Sequence, residues 1–596
     1  MKKSNPSFAM MQKAVKFHQT GQIPEAERSY QEVLAADPLH IDALRLLGGL
    51  YVQWNKPESA ISYLEKALGI QPDQPEILNS LGVALSGQGK FNDALMRYQR
   101  AVEIAPDYWD SINNMGNMFY ASGKLDDAII WLERSLQIRP DNAQTHGFLG
   151  HAFRAQKKDD QAIAHYRHAL RLAPDNVEIL TSLGNLLRNT GQSEEACVLY
   201  QRLAQLTPND MNVHLNLGTI FHDRGQLPEA TEQYEKVLRL QPDNTDAMIN
   251  RASLLMELNR PEEARMGYEQ SLSVNPQSPE ARMGKSLALL MLGEYREGWE
   301  LYESRFECNP MCQAMPFKTA RWDGSPLAGK RLLIWGEQGL GDVLQFVRYA
   351  ALCKERGGTV IVMCREPLVR LLKNCPFIDE VVTAATPSDF DYQIPMMSLP
   401  RIFGTTLDTV PQAIPYLYVS EEARAKWAPR FADAQGFKVG LVWAGNPRKN
   451  QIDAHVTDRQ RSLSLALMKP LLDVADCQFY NLQKGEASSE IDANGLRARL
   501  IDYMPEVGDF MDTAVIVENL DLVISVDTSV VHLAGGLGKP VWVLSRYGGC
   551  WRWLQNRKKN PWYPTARIFG QPGPGDWESC VREIGYALDK SLSKGK

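Results

Sequence analysis

The feature that most restricts the fold of this chain is a proline that returns every 34 residues. It stands at Pro38, Pro72, Pro106, Pro140, Pro174, Pro208, Pro242 and Pro276. The same frame carries a glycine, an alanine and often a tyrosine, as at Gly82, Ala94 and Tyr98. Small residues let two antiparallel helices approach closely, the tyrosine fills the space between them, and the proline ends the second helix. The period therefore predicts tandem helical hairpins.

This 34-residue unit resembles the tetratricopeptide repeat (TPR). One hairpin cannot bury its apolar face alone, so stacked repeats share a continuous core. The resemblance predicts an α-solenoid, a TPR superhelix, of about nine repeats over residues 7–310. We expect the last repeat, at about 279–310, to be irregular, because Gly298 and Trp299 stand where the other repeats carry alanine and a polar residue.

The position two residues before the frame glycine is polar in several repeats. It is occupied by Ser80, Asn114, Ser182, Asn216 and Asn250. The series resembles, incompletely, the asparagine ladder with which O-GlcNAc transferases hold the backbone of protein substrates, since an amide pairs with both N–H and C=O. The resemblance implies that Asn114, Asn216 and Asn250 bind a protein acceptor. The alternative is ordinary polar positions on a solvated helix, because Leu46 and Phe148 occupy the same position elsewhere.

Beyond about residue 310, apolar runs of strand length alternate with helical stretches. The runs are Arg331–Trp335, Thr359–Met363, Glu380–Thr383, Lys438–Trp443, Gln478–Leu482, Leu522–Ser525 and Pro540–Leu544. Strands separated by helices predict parallel α/β sheets. The runs fall within residues 320–418 and 436–580, which predicts two Rossmann-like halves. Two such halves facing a cleft constitute the GT-B glycosyltransferase architecture, with ligands at the carboxyl ends of the strands.

A glycine-rich turn of sequence GEQGLGD, residues 336–342, follows the first of these runs. Glycines allow a tight turn and let backbone N–H groups face a ligand, which makes Gly339 and Gly341 candidate donor-binding residues. The Gly-Asp pair resembles the heptosyltransferase family, glycosyltransferase family nine, in which the aspartate is the proposed base. The resemblance implies that Asp342 deprotonates the acceptor hydroxyl, with Glu337 as the second candidate. The alternative for Asp342 is a helix cap.

A second motif, the string DTSVVHLAG at residues 527–535, follows another predicted strand. A helix that begins here leaves its first amide N–H groups free to attract a pyrophosphate. The string resembles the donor-binding segment of the same family. The resemblance implies that Asp527, Thr528 and His532 hold a nucleotide sugar, with Ser529 as a phosphate contact. The alternative is a capped helix with a histidine that faces the core.

A third motif joins the loop VWAGNP, residues 442–447, to the basic cluster DRQRS, residues 458–462. Guanidinium groups can neutralise a leaving diphosphate. The arrangement resembles TPR-linked relatives of the same family and implies donor contacts for Asn446, Arg461 and Ser462. Lys449 and Lys484 are further cationic candidates, although exposed cations are more often simply solvated.

An aromatic and basic segment ends the chain. Its tryptophans are Trp542, Trp551, Trp553, Trp562 and Trp577. Such rings can stack on a base or a sugar, but we expect them mostly to pack, with Arg546, Tyr547 and Arg552 near the cleft. Arg546 is therefore a donor-binding candidate.

Asp389-Phe390-Asp391 matches the DxD motif of metal-dependent glycosyltransferases. It lies in the first half, away from the donor motif. We interpret it as a surface or structural feature and therefore expect no essential metal. We also expect no cofactor, because the nucleotide sugar is a co-substrate.

The composition argues against several classes of function. A net charge of −6 gives no general attraction to nucleic acid. No apolar run approaches the roughly 18–20 residues that span a bilayer. The nine cysteines have no zinc-binding spacing and fit a reducing compartment. We therefore expect a soluble, cytoplasmic protein.

The joint arrangement resembles bacterial TPR proteins with a family-nine-like transferase module, some of which modify flagellin, and O-GlcNAc transferases. The resemblance implies transfer of a sugar from a nucleotide sugar to Ser or Thr hydroxyls of a protein acceptor gripped by the repeats. Two alternatives remain open: a glycan or lipid acceptor with the repeats docking a partner, or a non-catalytic scaffold. The sugar, the nucleotide base, the acceptor and the oligomeric state stay undetermined.

Overall fold

The computed structural model describes residues 6–308, 315, 317–337, 339–446, 458–554 and 560–595. The chain divides into two compact units, Met1–Val213 and His214–Lys596. The described part of the first unit consists of helical repeats. The second unit contains the last repeats and two β-sheets.

Between Pro6 and Leu301 the described chain forms nine helical hairpins, α1/α2 to α17/α18. The helices are α1 Pro6–Gln19, α2 Ile23–Ala36, α3 Ile41–Gln53, α4 Pro57–Ile70, α5 Pro75–Gly87, α6 Phe91–Ile104, α7 Trp109–Ala121, α8 Leu125–Ile138, α9 Ala143–Ala155, α10 Asp159–Leu172, α11 Val177–Asn189, α12 Ser193–Leu206, α13 Met211–Asp223, α14 Leu227–Leu240, α15 Thr245–Glu257, α16 Pro261–Val274, α17 Pro279–Leu292 and α18 Tyr295–Leu301. The predicted hairpins are confirmed.

The periodic residues act within each hairpin as their chemistry requires. A Cβ placed on Gly82 would lie 2.5 Å from Cε1 of Tyr98, so only glycine allows α5 and α6 this approach. Gly184 and Tyr200 make the same contact between α11 and α12. In the first eight hairpins the second helix ends two residues before the frame proline, which is incompatible with continued helix.

The last hairpin is irregular, as predicted. Its second helix, α18, has 7 residues, whereas α17 has 14. Gly298 packs against Leu290, and Trp299 is buried against Phe346 and Trp551 of the α/β region. This repeat therefore belongs to the core of the second unit.

Nine strands form two sheets in the described part of the second unit. They are β1 Arg331–Trp335, β2 Thr359–Met363, β3 Glu380–Val382, β4 Tyr392–Pro395, β5 Phe437–Val442, β6 Cys477–Asn481, β7 Leu522–Val526, β8 Val541–Ser545 and β9 Ala566–Gly570. The strand orders are β3-β2-β1-β4 and β6-β5-β7-β8-β9, and every pairing is parallel. The sequence pattern singled out seven of these strands but neither β4 nor β9.

Helices connect the strands of both sheets. After α18 the α-helices with both ends described are Arg305–Cys308, Leu340–Phe346, Tyr349–Lys354, Val369–Leu372, Leu399–Ile402, Glu421–Phe431, Leu465–Met468, Glu490–Ala493, Phe510–Glu518, Ser529–Gly536 and Trp577–Gly595. Residues 458–461 are also helical. The central strands are apolar and buried, as parallel strands covered on both faces must be. The prediction of parallel α/β sheets is confirmed.

Candidate functional site

The chain order reverses direction at one point in each sheet. In the first sheet the reversal lies between β1 and β4, and the turn at Gly336 leaves β1 there. In the second it lies between β5 and β7, where the loop at Trp443 and the turn at Asp527 begin. Sheets of this kind bind ligands in the crevice beyond the carboxyl ends of the strands at such points. The three sequence motifs thus occupy the two expected binding positions.

The turn of the first sheet touches the turn of the second. A Cβ placed on Gly341 would lie 2.9 Å from Cδ2 of His532 and 3.3 Å from Cα of Ser529. The helix Leu340–Phe346 therefore packs against the helix Ser529–Gly536, which we call the Ser529 helix. Two motifs that are far apart in the chain share one location.

Asp342 occupies the first turn of its helix, where it acts as a cap. Its Oδ2 accepts a hydrogen bond from the backbone N–H of Gly339 at 2.9 Å. Its Oδ1 accepts from Nη2 of Arg552 in an ion pair, and the Asp342 side chain is 17% exposed. Asp342 thus lies at the contact between the halves, with each carboxylate oxygen engaged.

Arg552 is held on several sides. Its Nε donates to Oε1 of Gln345 at 2.8 Å, and its guanidinium lies 4.3 Å from the ring centroid of Trp551. Burial by itself lowers the pKa of Arg552, but the negative charges near it, first Asp342 and also Asp527, raise that pKa above its usual range. The guanidinium is therefore a charged group influenced by carboxylates of both motifs.

Glu337 has a different environment from Asp342, although both are in one turn. Its carboxylate forms a two-point ion pair with Arg305, at 2.8 Å and 2.9 Å, and accepts from the backbone N–H of Met397. The side chain of Glu337 is 1% exposed and that of Arg305 is fully buried. These contacts favour a structural role for Glu337 and leave Asp342 as the better candidate for a base.

The amino end of the Ser529 helix is uncapped by any described side chain. Thr528 is its N-cap residue, and the Thr528 hydroxyl lies 3.1 Å from the hydroxyl of Ser525. The carbonyl of Asp527 accepts from Nη1 of Arg461 at 3.1 Å. Because the first N–H groups of a helix have no partner within the helix, this end presents amide donors beside a guanidinium.

His532 faces the core, as in the alternative interpretation, yet it also lines the contact with Gly341. It is 4% exposed, and its Nδ1 lies 2.9 Å from the hydroxyl of Tyr563. Its ring stacks on Trp553 with centroids 5.8 Å apart. Burial lowers the pKa of His532 well below its usual range, and the positive charges of Arg552 and Arg348 contribute in the same direction. The imidazole is therefore neutral at physiological pH.

The third motif is built around Gly445, whose N–H donates to the hydroxyl of Ser462 at 3.0 Å. Arg461 forms an ion pair with the buried Asp458. Asn446 is exposed, and Lys449 lies outside the described residues. Arg461 thus ends a short helix at 458–461 and reaches the carbonyl of Asp527, and Ser462 follows it directly.

Two other predicted cations contact backbone carbonyls. Nζ of Lys484 donates to the carbonyl of Val507 at 2.8 Å. Nε of Arg546 donates to the carbonyl of Gly549 at 3.2 Å. Lys484 is therefore engaged by a neighbouring loop, whereas Arg546 shapes the segment after β8.

Sequence reasoning missed a contribution from the seventh and eighth repeats. Nε2 of Gln460 donates to Glu257 at the end of α15, at 3.2 Å, and Oε1 of Gln460 accepts from Nη1 of Arg546. A Cβ on Gly548 would lie 2.8 Å from Cα of Glu257. Nε2 of His222 in α13 lies 3.1 Å from Oε1 of Glu257. No motif could reveal these contacts, because each depends on the tertiary arrangement.

The ladder asparagines have mixed surroundings. In the first unit, Nδ2 of Asn114 donates to Oδ1 of Asn79 in the preceding hairpin, at 3.0 Å. In the second unit, Asn216 and Asn250 are half-buried, and Asn216 has an interaction with the surrounding protein. All three remain candidates for binding a protein acceptor, but the Asn114 amide already donates one hydrogen bond within the repeats.

The C-terminal tryptophans pack, as expected. All five are buried, and Trp551 and Trp562 lie against Trp299 of the last repeat. Nε1 of Trp562 donates to the hydroxyl of Tyr295 at 2.9 Å. The aromatic segment therefore anchors the last hairpin.

The DxD sequence also has structural contacts. Asp389 accepts from the N–H and hydroxyl of Thr386, and Asp391 accepts from the N–H of Arg331 at the start of β1. In the described part of the chain no group of three or more His, Cys, Asp or Glu residues has a metal-binding arrangement.

A cavity of about 370 Å³ adjoins the Asp342 turn on the side of the first sheet. It lies at the carboxyl ends of β1, β2 and β3, with the apolar side chains of Leu340, Val343 and Met363 and the charged Arg365 and Glu366 in its wall.

The described helices include none long and apolar enough to cross a bilayer.

Comparisons with known proteins concern mainly the repeats. Models of the tetratricopeptide repeat match residues 17–82, 76–105 and 249–304, and the model of the cytochrome c-type biogenesis protein H TPR domain matches residues 94–249. Protein FlbA of Caulobacter vibrioides is 29% identical over 294 residues, which cover 45% of this chain and 48% of FlbA. The chain thus spans about half the length of this curated relative.

Solved structures of repeat proteins are also similar to parts of the chain. YrrB, described as a TPR protein with an unusual peptide-binding site, is 22% identical over 32% of this chain and 98% of its own, with a TM-score of 0.31. MamA is 27% identical over 27% of this chain and 94% of its own, with a TM-score of 0.25. Together with the hairpins and the period of the sequence, the family matches establish that residues 17–304 consist of tetratricopeptide repeats.

Proposed function

We propose that the α/β region is a GT-B glycosyltransferase that uses a nucleotide sugar, and that the repeats bind its protein acceptor. The observation that carries the proposal is the contact between Gly341 and the Ser529 helix. It joins the switch points of two parallel sheets, and switch points are where such sheets bind ligands. The family-nine resemblance of both motifs supports the same assignment.

The donor diphosphate would bind at the amino end of the Ser529 helix. Free amide donors and the helix dipole favour an anion there. Thr528 and Ser529 supply hydroxyl groups, and Arg461, fixed on the Asp527 carbonyl, supplies positive charge. Neutral His532 completes the wall. In this proposal, guanidinium groups rather than a metal ion balance the charge of the leaving diphosphate.

Asp342 would act as the base. As the acceptor oxygen forms a bond to the anomeric carbon, the bond from that carbon to the diphosphate oxygen breaks. Its electron pair leaves with the nucleoside diphosphate, and the hydroxyl proton passes to the Asp342 carboxylate. A positioned base typically contributes about 10²- to 10⁴-fold in rate.

The acceptor would be a Ser or Thr of a polypeptide bound along the repeats, and flagellin is one candidate. TPR domains commonly bind peptides, and Asn216 and Asn250 are the ladder residues in the same compact unit as the sheets. We place the reaction in the cytoplasm, in keeping with the free cysteines of the described chain.

The test begins with a thermal-shift screen of nucleotide sugars against the full chain. A stabilising donor is then incubated with candidate proteins, and transfer is read by intact mass. We expect Asp342→Asn to reduce transfer at least about 100-fold. The matched control is Asp408→Asn, which removes an exposed carboxylate of the first half and is expected to retain full activity.

Each contrary result has a definite meaning. Undiminished transfer by Asp342→Asn would remove this residue from the mechanism. Transfer to a glycan or lipid but to no protein would assign the alternative acceptor class. The absence of donor binding throughout the panel would favour a non-catalytic scaffold.

A further inference from the structure

We infer that Arg552 couples donor binding to catalysis: it pairs with Asp342 in the free protein and turns to the donor diphosphate when that binds, which releases Asp342 to act as a base. This inference rests on the proposed function and adds to it a residue and an order of events. It also makes Arg552 a positioning residue for the candidate base.

The first observation is the state of Asp342. One carboxylate oxygen accepts from the N–H of Gly339 and the other from Arg552. Both carboxylate oxygens are thus occupied, and an incoming hydroxyl can approach Oδ1 only if the Arg552 guanidinium moves away. In the free protein Arg552 therefore blocks the access of a hydroxyl to the candidate base.

The second observation is the place of Arg552. It comes from the segment after β8 in the second half, whereas Asp342 belongs to the first half, so their ion pair crosses between the halves. The charge of Asp527, at the entrance to the Ser529 helix, also acts on Arg552. Gly341, the neighbour of Asp342, also lies against Ser529 at the start of that helix. A diphosphate bound there would therefore lie near the Asp342–Arg552 pair.

The third observation is a buried donor without a partner. Gln345 is fully buried, its Oε1 accepts from Nε of Arg552, and its Nε2 has no hydrogen-bond partner among the described residues. Leaving such a donor unpaired is costly. Its place beside Arg552 favours an occupant with acceptor oxygens, which a phosphate group provides.

Competition between the two anions follows from their charge. A diphosphate carries more negative charge than one carboxylate and offers oxygens that a guanidinium binds at two points. Part of the binding free energy is then used to separate Arg552 from Asp342. Removal of the Asp342 charge should therefore strengthen diphosphate binding, whereas loss of Arg552 should weaken it.

The experiment is a calorimetric titration of the full chain with inorganic pyrophosphate. We expect Asp342→Asn to bind about three- to tenfold more tightly than the natural chain, and Arg552→Met about tenfold or more weakly. In the double variant the gain from Asp342→Asn should vanish. The matched control is Arg567→Met, which removes an exposed arginine also 4.3 Å from an aromatic centroid, that of Phe569.

The outcomes separate the inference from the proposed function. If the natural chain binds pyrophosphate but Asp342→Asn binds it equally or more weakly, the ion pair is only a structural contact and the inference is wrong. If the natural chain does not bind at millimolar concentration, the diphosphate site itself is refuted. If Arg552→Met does not fold, Arg552→Lys replaces it in the experiment. Lysine keeps the charge but cannot bind at two points, so we expect this variant to bind pyrophosphate with intermediate affinity. Unchanged affinity would contradict the inference.

Discussion

Glycine makes close contacts in both regions of this molecule, but with partners of different kinds. In the repeats, Gly82 lies against Tyr98 of the adjoining helix, and Gly184 lies against Tyr200 in the same way. In the α/β region, Gly341 lies against His532 of the opposite half. The repeat contact recurs and contributes to stability each time. The Gly341 contact occurs at one place, and it brings the candidate base to the candidate phosphate site.

The same contrast separates two carboxylates of one turn. Glu337 is buried in an ion pair with Arg305, which follows the last repeat, and it joins the repeats to the first sheet. Asp342 is partly exposed and its partner Arg552 comes from the second half. Contacts that build the framework can therefore be distinguished experimentally from contacts that build the site, because only the latter should alter ligand binding.

The largest effect on stability is expected from Tyr200→Ala in the first unit. Tyr200 is fully buried, and its hydroxyl donates to Oδ1 of Asn185 at 2.7 Å. Truncation of a buried aromatic residue costs about 3–5 kcal/mol. Urea unfolding followed by circular dichroism should show this loss, with pyrophosphate affinity unchanged. Val198→Ala, in the same helix but 63% exposed, should have little effect; equal losses from both would contradict the account.

A somewhat smaller loss, about 3 kcal/mol, is expected from Glu337→Gln, because it leaves the buried Arg305 with less compensating charge. The folded variant should bind pyrophosphate with an affinity within about twofold of the natural chain. The control is Glu380→Gln, which breaks an exposed ion pair with Arg331 and should cost below about 1 kcal/mol. Lost affinity without lost stability would instead assign Glu337 to the site.

Gly341→Ala should have the opposite effect to Glu337→Gln: it should weaken ligand binding and leave stability nearly unchanged. The added Cβ would meet Cδ2 of His532 and the backbone of Ser529, and it would push the two turns apart. We expect pyrophosphate affinity to fall about tenfold, or about 1.4 kcal/mol, with a small change in melting temperature. Gly570→Ala is the control, because no described atom lies within 4 Å of its added Cβ. A large loss of stability with unchanged affinity would make Gly341 another framework glycine.

The smallest expected effect is a pH dependence confined to the repeats. Burial, and then the neighbouring His146 and His168, lower the pKa of His165 to about 4. Since the unfolded value is about 6.5, the folded repeats are stabilised by neutral His165 above that pH and lose this contribution as the pH falls towards 4. Over this pH range the melting temperature should drop by about a few degrees, and it should drop less steeply in His165→Phe. Identical slopes would contradict this assignment.

Local patterns explain which features the sequence could predict. The repeats were predictable because most periods make an equivalent contact between their two helices, so proline and glycine recur in register and tyrosine or leucine packs against the glycine. The turns at Gly336 and Asp527 were predictable because strand, turn and helix are adjacent in the chain. Strand β4 was missed because Tyr392–Pro395 is a short run directly after the Asp389 turn.

Contacts between distant segments were beyond prediction. The choice between Asp342 and Glu337 depends on Arg552 and Arg305, which lie far from that turn in the sequence. The role of Glu257 beside Gln460 depends on how the eighth repeat packs on the second sheet. These partners are ordinary charged residues in sequence, and only the folded chain gives them a place at the site.

The central claim is that the Asp342 turn and the Ser529 helix enclose a single diphosphate site, and a crystal structure with a bound nucleoside diphosphate tests it most directly. We predict phosphate oxygens at the backbone amides of Thr528 and Ser529, with Arg552 turned from Asp342 towards them. Phosphates bound elsewhere in the α/β region, with the Asp342–Arg552 pair intact, would contradict the account.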